Sequence, residues 1–194
     1  YQLEHILPVM ERKVEVRNLF GECRFPNMAD IYLPEKKWHS FVLINWNDET
    51  EIPAAFQLTE KTISGLKKDR VYLVAEFYSG CYQTDIKYGD TVSMGVILPH
   101  GSAVFKIQEY DPAMSFIVKS TAHYSIGGET EVLKIEKETL IFEMQYLFET
   151  ESIYHVLLPE GYETKDHNRE VEIHVRKTGR TLIEIPIQEI HKNT

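Results

Sequence analysis

Apolar and polar positions alternate along much of this chain. In Glu170-Val-Glu-Ile-His-Val-Arg176, apolar residues at 171, 173 and 175 alternate with polar or charged ones, the period of a strand with one wet face. Leu140, Phe142, Met144, Tyr146 and Phe148 share one face, with Glu143 and Gln145 on the other. Both patterns belong to antiparallel sheets. Trp38-His-Ser-Phe-Val-Leu-Ile-Asn-Trp46 is apolar on both faces and predicts a central strand covered on each side. Further strands are predicted at 52–58, 70–78, 91–98, 102–107, 114–119, 129–135, 153–158 and 181–189. Turn chemistry separates them: Asn47-Asp48-Glu49, Ser79-Gly80, Tyr88-Gly89-Asp90, Pro99-His100-Gly101, Asp111-Pro112, Gly127-Gly128, Pro159-Glu160-Gly161 and Thr178-Gly179. A single helical turn is expected at 59–66, where Gly65 cuts it short.

The predicted fold is all-β, with two antiparallel β-sandwich domains in tandem. Composition agrees, because 14 Val, 18 Ile and 13 Thr stand against 7 Ala, which favours pleated surfaces over helices. No long amphipathic pattern occurs, so a barrel of alternating strands and helices within this chain is not expected. Asp111-Pro112 marks the boundary between a first sandwich, residues 35–110, and a second, residues 111–194. Residues 1–34, with Pro8, Pro26 and Pro34, read as an extended lead-in that completes another fold. The first residue is Tyr, which leads us to expect a chain that starts within a longer protein.

Charge narrows the partners. With 21 Lys+Arg against 30 Asp+Glu the net charge is −9, and the basic clusters, Lys36-Lys37, Lys67 to Arg70 and Arg176-Lys177, are short and interleaved with acids. Nucleic acid and anionic membrane are therefore excluded as expected partners. No apolar run approaches the ~18–20 residues of a spanning helix. Cys23 and Cys81 allow at most one bridge, and the expectation is reduced, partly buried thiols. They leave the compartment open, with a cytoplasmic setting favoured.

Chemistry is sparse. The nucleophile elbow, the phosphate-cradling loop, the dinucleotide fingerprint and the His-Glu-x-x-His pair are all missing from the sequence. None of the eight histidines has ligand spacing, so no metal and no cofactor is expected. His174 lies on the polar face of its strand, and His100 and His123 stand beside turns whose backbone groups their rings can satisfy. Glu129 and Glu131 share a face like a glycosidase pair, which needs carboxyls ~5–9.5 Å apart, but a solvated strand edge explains them better. Tyr78, Tyr82 and Tyr88 form a local group that can stack sugars or fill a domain interface. Trp38 and Trp46 share a face and read as core.

The order of features in the first half carries a resemblance. Leu7-Pro8-Val9 and Val16-Arg17-Asn18-Leu19-Phe20 are followed by Trp38 to Glu49 with Asn45-Trp46 and its acidic turn. Tyr72-Leu-Val-Ala-Glu-Phe-Tyr-Ser-Gly80 and Leu98-Pro-His-Gly-Ser-Ala-Val-Phe-Lys-Ile107 complete it. Residues 7–107 resemble the C-terminal β-sandwich of melibiase-like glycoside hydrolases, the α-galactosidase and α-N-acetylgalactosaminidase group. Phe77-Tyr78 stands where that family has Phe-Trp, and the second half is more weakly similar to a further β-domain of such enzymes.

The resemblance implies a non-catalytic accessory region of a glycoside hydrolase, fed by a preceding catalytic domain and stabilising its β/α barrel, with the bond-breaking carboxylates in that barrel. It implies no catalytic residue in this chain. Asn45, Trp46, His100 and Gly101 become structural: the indole adds core area, the amide satisfies the following turn, Gly101 lets the chain reverse and His100 braces it. The alternative is an autonomous carbohydrate-binding module using Tyr78, Tyr82 or Tyr88. Expected partners are the barrel, carbohydrate and, for a fragment with an uncovered patch, a second copy of the chain.

Overall fold

The computed structural model describes residues 14–17 and 25–190, and every regular element among them is a β-strand. The fold is all-β. Leu7-Pro8-Val9, Asn18-Leu19-Phe20 and Cys23, named in the sequence reading, lie outside the described residues. The chain divides between Tyr110 and Asp111 into two compact units.

The first unit contains β1 (Val14–Arg17), β2 (Met28–Leu33), β3 (Trp38–Ile44), β4 (Ile52–Gln57), β5 (Val71–Glu76), β6 (Tyr82–Lys87), β7 (Thr91–Ile97) and β8 (Ser102–Glu109). Six of them form a sheet in the order β1-β2-β3-β8-β5-β6, and β4 pairs with β7 in a second sheet. β3 has antiparallel neighbours on both edges, the central place predicted for it. Phe41 and Leu43 point into a core shared with β4 and β7, while Trp38 and Ser40 on the opposite face are also buried. Phe56 of β4 joins the two layers, with its ring centroid 4.7 Å from Phe41 and 5.1 Å from Phe105. Each such buried ring contributes ~1.5–3 kcal/mol relative to exposure.

Two features of this unit differ from the sequence reading. β1 and β2 pair with each other and β2 with β3, so residues within the expected lead-in are strands of this sheet, and Met28 is wholly buried. β6 was not anticipated. It is an edge strand whose alternation is masked by polar residues, with Ile86 alone buried, as an exposed sheet edge requires. Residues 59–66 hold one turn and no regular helix, Thr62 and Ile63 both donating to the Thr59 carbonyl.

The second unit contains β9 (Phe116–Ser120), β10 (Thr130–Glu136), β11 (Thr139–Leu157), β12 (Tyr162–Glu163), β13 (Glu170–Pro186) and β14 (Gln188–Glu189). β10, β11 and β13 run side by side, β9 pairs with the C-terminal half of β11, and β12 pairs with β14. Where sequence spacing predicts two strands on each side of a break, β11 and β13 are single long strands. Thr178-Gly179, expected to turn, lies within β13 instead. Opposite it β11 advances from Tyr146 to Thr150 while β13 advances only from Gly179 to Lys177, a bulge that bends the hairpin. The β10–β11 turn has left-handed backbone at both Lys137 (φ 46) and Glu138 (φ 59), the signature of a type I′ hairpin built without glycine.

Candidate functional site

The motif residues singled out in the sequence meet where β3 ends and β8 begins. Asn45 is fully buried, and its side-chain amide donates to the carbonyls of Thr50 at 2.8 Å, Ile97 at 3.0 Å and Leu98 at 3.1 Å. Its Oδ1 accepts from the backbone and side-chain N–H groups of Asn47. One buried amide thus ties the 45–50 loop to the end of β7, with its own polar atoms satisfied. Gly101 lies beside it. The Asn45 N–H donates to the Gly101 carbonyl, and a Cβ on Gly101 would sit 2.9 Å from the Leu98 oxygen. Close approach is what the position demands, since the left-handed residue of this turn is His100 (φ 56).

Two expectations at this loop change. Trp46 is 46% exposed and adds no full core burial, whereas Trp38 is buried as expected. The Trp46 indole N–H donates to the Pro26 carbonyl at 2.7 Å, which fixes the ring, and the half-exposed Phe25 ring stands 5.6 Å away. His100 braces its turn through a side chain rather than through backbone groups, with Nε2 3.0 Å from the Asp48 carboxylate. Both partners are solvent-exposed, so the pair adds little stability. Trp46, Asp48 and His100 are thus solvent-exposed side chains of loops that the buried Asn45 amide ties together.

The three tyrosines are not one group. Tyr78 follows β5 and stands edge-on to Phe77 at 5.3 Å, and Tyr82 opens β6. Tyr88 follows the far end of β6, ~20 Å away at strand rise. There it packs against the core, accepts the Glu60 N–H and lies beneath the Lys68 ammonium at 5.5 Å.

Other polar clusters escaped the sequence. Asp30 and His39 are buried side chains of the β2–β3 hairpin, with His39 Nδ1 at 3.0 and 3.1 Å from the two carboxylate oxygens and the Tyr32 ring 4.8 Å from the imidazole. Register makes them diagonal neighbours, because Tyr32 opposes His39 and Asp30 opposes Phe41. The signal was the turn at Pro34 to Lys37, hidden once residues 1–34 are read as a lead-in. Glu15, opposite Asp30, accepts a hydrogen bond from Ser64 at 2.7 Å. Glu76 is buried and accepts the N–H groups of Ser79 and Val104, a loop-closing role.

In the second unit Glu129 is no solvated edge, unlike the exposed Glu131. The phenols of Tyr154 and Tyr146 both donate to its Oε1. Burial, reinforced by the Glu129 charge, pushes the Tyr146 phenol far above its ordinary value. His123 is buried and accepts the Ser125 N–H on Nδ1 at 3.0 Å, in line with its expected role beside a turn. His174 is exposed and bonded to Glu172, whose carboxyl is lowered chiefly by that bond. Cys81 has an exposed free thiol, not the partly buried one expected.

Among the described residues no group of three His, Cys, Asp or Glu side chains is arranged to hold a metal ion, and no helix is long and apolar enough to cross a membrane. Asn45 and Gly101, the buried motif residues of the 45–101 loops, are committed to loop closure. Comparison of the sequence with protein-family models and with curated proteins finds no match.

Proposed function

We propose that this chain is a non-catalytic accessory β-region of a glycoside hydrolase of the α-galactosidase-like group, bracing a β/α barrel that holds the acid and the nucleophile. The observation that carries this reading is the Asn45 hub. Asn45 and Gly101, two of the residues on which the family resemblance rests, converge with the Leu98 carbonyl on one loop closure, the Asn45 amide donating to three backbone carbonyls. Groups used this way shape a scaffold and offer no proton to a substrate. Glu76, within the Tyr72 to Gly80 stretch of the resemblance, likewise closes its own loop.

The reading requires coding sequence ahead of Tyr1 for a barrel with paired aspartates at strand ends. Expressed together, the barrel should melt at a lower temperature without this chain than with it. A gene with no such barrel, or a barrel indifferent to this chain, overturns the proposal.

A second reading, an autonomous carbohydrate-binding module, is favoured by the half-exposed Trp46 and Phe25 rings. Calorimetric titration with galactosides separates the tyrosine version of that reading from the scaffold: binding lost on Tyr78→Ala or Tyr82→Ala supports it, and binding indifferent to both removes it.

A further inference from the structure

We propose that the first stretch of β13, residues 170–176, is a self-pairing edge on which a second copy of this chain docks as an antiparallel strand centred on Ile173. β13 pairs with β11 along one side, in unbroken register from Glu170 opposite Leu157 to Arg176 opposite Glu151. No described strand pairs with its other side, and no turn or loop hydrogen bond from a described residue reaches this stretch. Such an edge offers alternate N–H and C=O groups to an incoming strand. Other edges carry features that deter pairing. β6 is bulged against β5, with left-handed backbone at Asp85 (φ 59), and β7 is bulged against β4 around Gly95 (φ 97). β10 is bulged between Thr130 and Val132, and the far part of β13 follows its own bulge and ends at Pro186. Residues 170–176 contain no proline, glycine or bulge.

The stretch is complementary to itself when turned end for end. Pairing about Ile173 sets Glu170 opposite Arg176 of the second copy, Glu172 opposite its His174 and Val171 opposite its Val175. A slip of two residues either way brings Glu172 against Glu172 or His174 against His174. A slip of one residue turns one copy's valines and isoleucine to the charged face. In the central register Val171, Ile173 and Val175, all buried, line the inner face, so no charge is enclosed at the seam. On the outer face Glu172, His174 and Arg176 are exposed and accessible to a partner. Their neighbours on β11 extend the alternation: Glu151 opposes Arg176 and His155 opposes Glu172. Arg176 then stands between two carboxylates and Glu172 between two imidazoles, one of each pair from the second copy. Exposed ion pairs add little energy, so the backbone ladder supplies the affinity while the charges select the register.

Sedimentation velocity of the full chain across the micromolar range should show a monomer–dimer equilibrium. Arg176→Glu alone and Glu170→Arg alone should each weaken it by at least about tenfold, since each places like charges opposite one another at both ends of the seam. An equimolar mixture of the two variants should dimerise as the wild type does, because the mixed pair restores a carboxylate opposite an arginine at each end. Thermal melting checks that both variants fold. Hydrogen exchange of the wild-type chain needs no variant: protection within residues 170–176 should rise with protein concentration. A wild-type chain that stays monomeric overturns the proposal. So does a dimer that both single variants leave intact, which assigns association to another face, or a mixture that remains monomeric. Exchange at residues 170–176 that ignores concentration overturns it even where the chain dimerises. Pairing through β13 is independent of the accessory-region reading, which stands or falls on the barrel.

Discussion

The rings of Phe142 and Tyr154 lie 5.1 Å apart, although both belong to β11 and twelve residues separate them. A straight strand would hold them ~40 Å apart. The hairpin of β11 and β13 must therefore fold over on itself, and the bulge between Tyr146 and Thr150 is where its register allows this. Glu129 fastens the fold from one side, accepting hydrogen bonds from Tyr146 and Tyr154, which flank the bulge.

Two substitutions test that bend. Phe142→Ala removes a fully buried ring and should cost ~3–5 kcal/mol of unfolding free energy. Tyr154→Phe keeps the ring and deletes only its bond to the Glu129 carboxylate, for ~1.5–3 kcal/mol. Urea denaturation measures both, and a Tyr154→Phe variant as stable as wild type would show that the carboxylate does not hold the bend.

Alkaline titration gives a second handle on the same group. Burial and the Glu129 charge raise the Tyr146 phenol above its ordinary value of 10.0. A phenol raised on folding contributes stability that is complete below about pH 10 and is lost as pH climbs toward the folded-state value. Tyrosinate absorbance should show Tyr146 ionising only as the second unit unfolds, a step that disappears in Tyr146→Phe.

The Asn45 hub predicts a large effect from a nearly isosteric change. Asn45→Asp replaces an amide that donates to three carbonyls by an oxygen that can donate to none, and should cost ~2–4 kcal/mol. Gly101→Ala drives a Cβ against the Leu98 oxygen and should cost ~1–3 kcal/mol. Thermal melting of the two variants checks the order, Asn45→Asp being the less stable.

The β10–β11 turn runs the other way. Lys137 and Glu138 both carry left-handed backbone, so Lys137→Asn with Glu138→Gly should raise stability by about 1 kcal/mol. Denaturant midpoints decide it, and a destabilised double variant would mean the two side chains contribute more than their strain costs.

Which of these features the sequence revealed follows from how far each interaction reaches. Alternation at Val171, Ile173 and Val175 displayed a strand, and all three are buried, because a period of two is written in consecutive residues. Turn chemistry likewise exposed the Pro99-His100-Gly101 corner, whereas Asn45 was singled out through the family resemblance. Thr178-Gly179 misled, since glycine serves a bulge as well as a turn, and the local pattern is the same for both. The Glu129 clamp was invisible because it depends on which distant strands meet, and the Asp30–His39 pair was missed because the Pro34 to Lys37 turn that sets its register was read as the end of a lead-in. Trp46 looked like core by parity, yet it lies just past the end of β3, where alternation no longer assigns a face.

The account turns on whether this polypeptide breaks glycosidic bonds. Purified chain incubated with aryl α-galactosides measures this most directly. The accessory reading predicts no phenol release above the buffer control; turnover that follows the protein through purification and vanishes on Asp30→Asn or Glu129→Gln would contradict it.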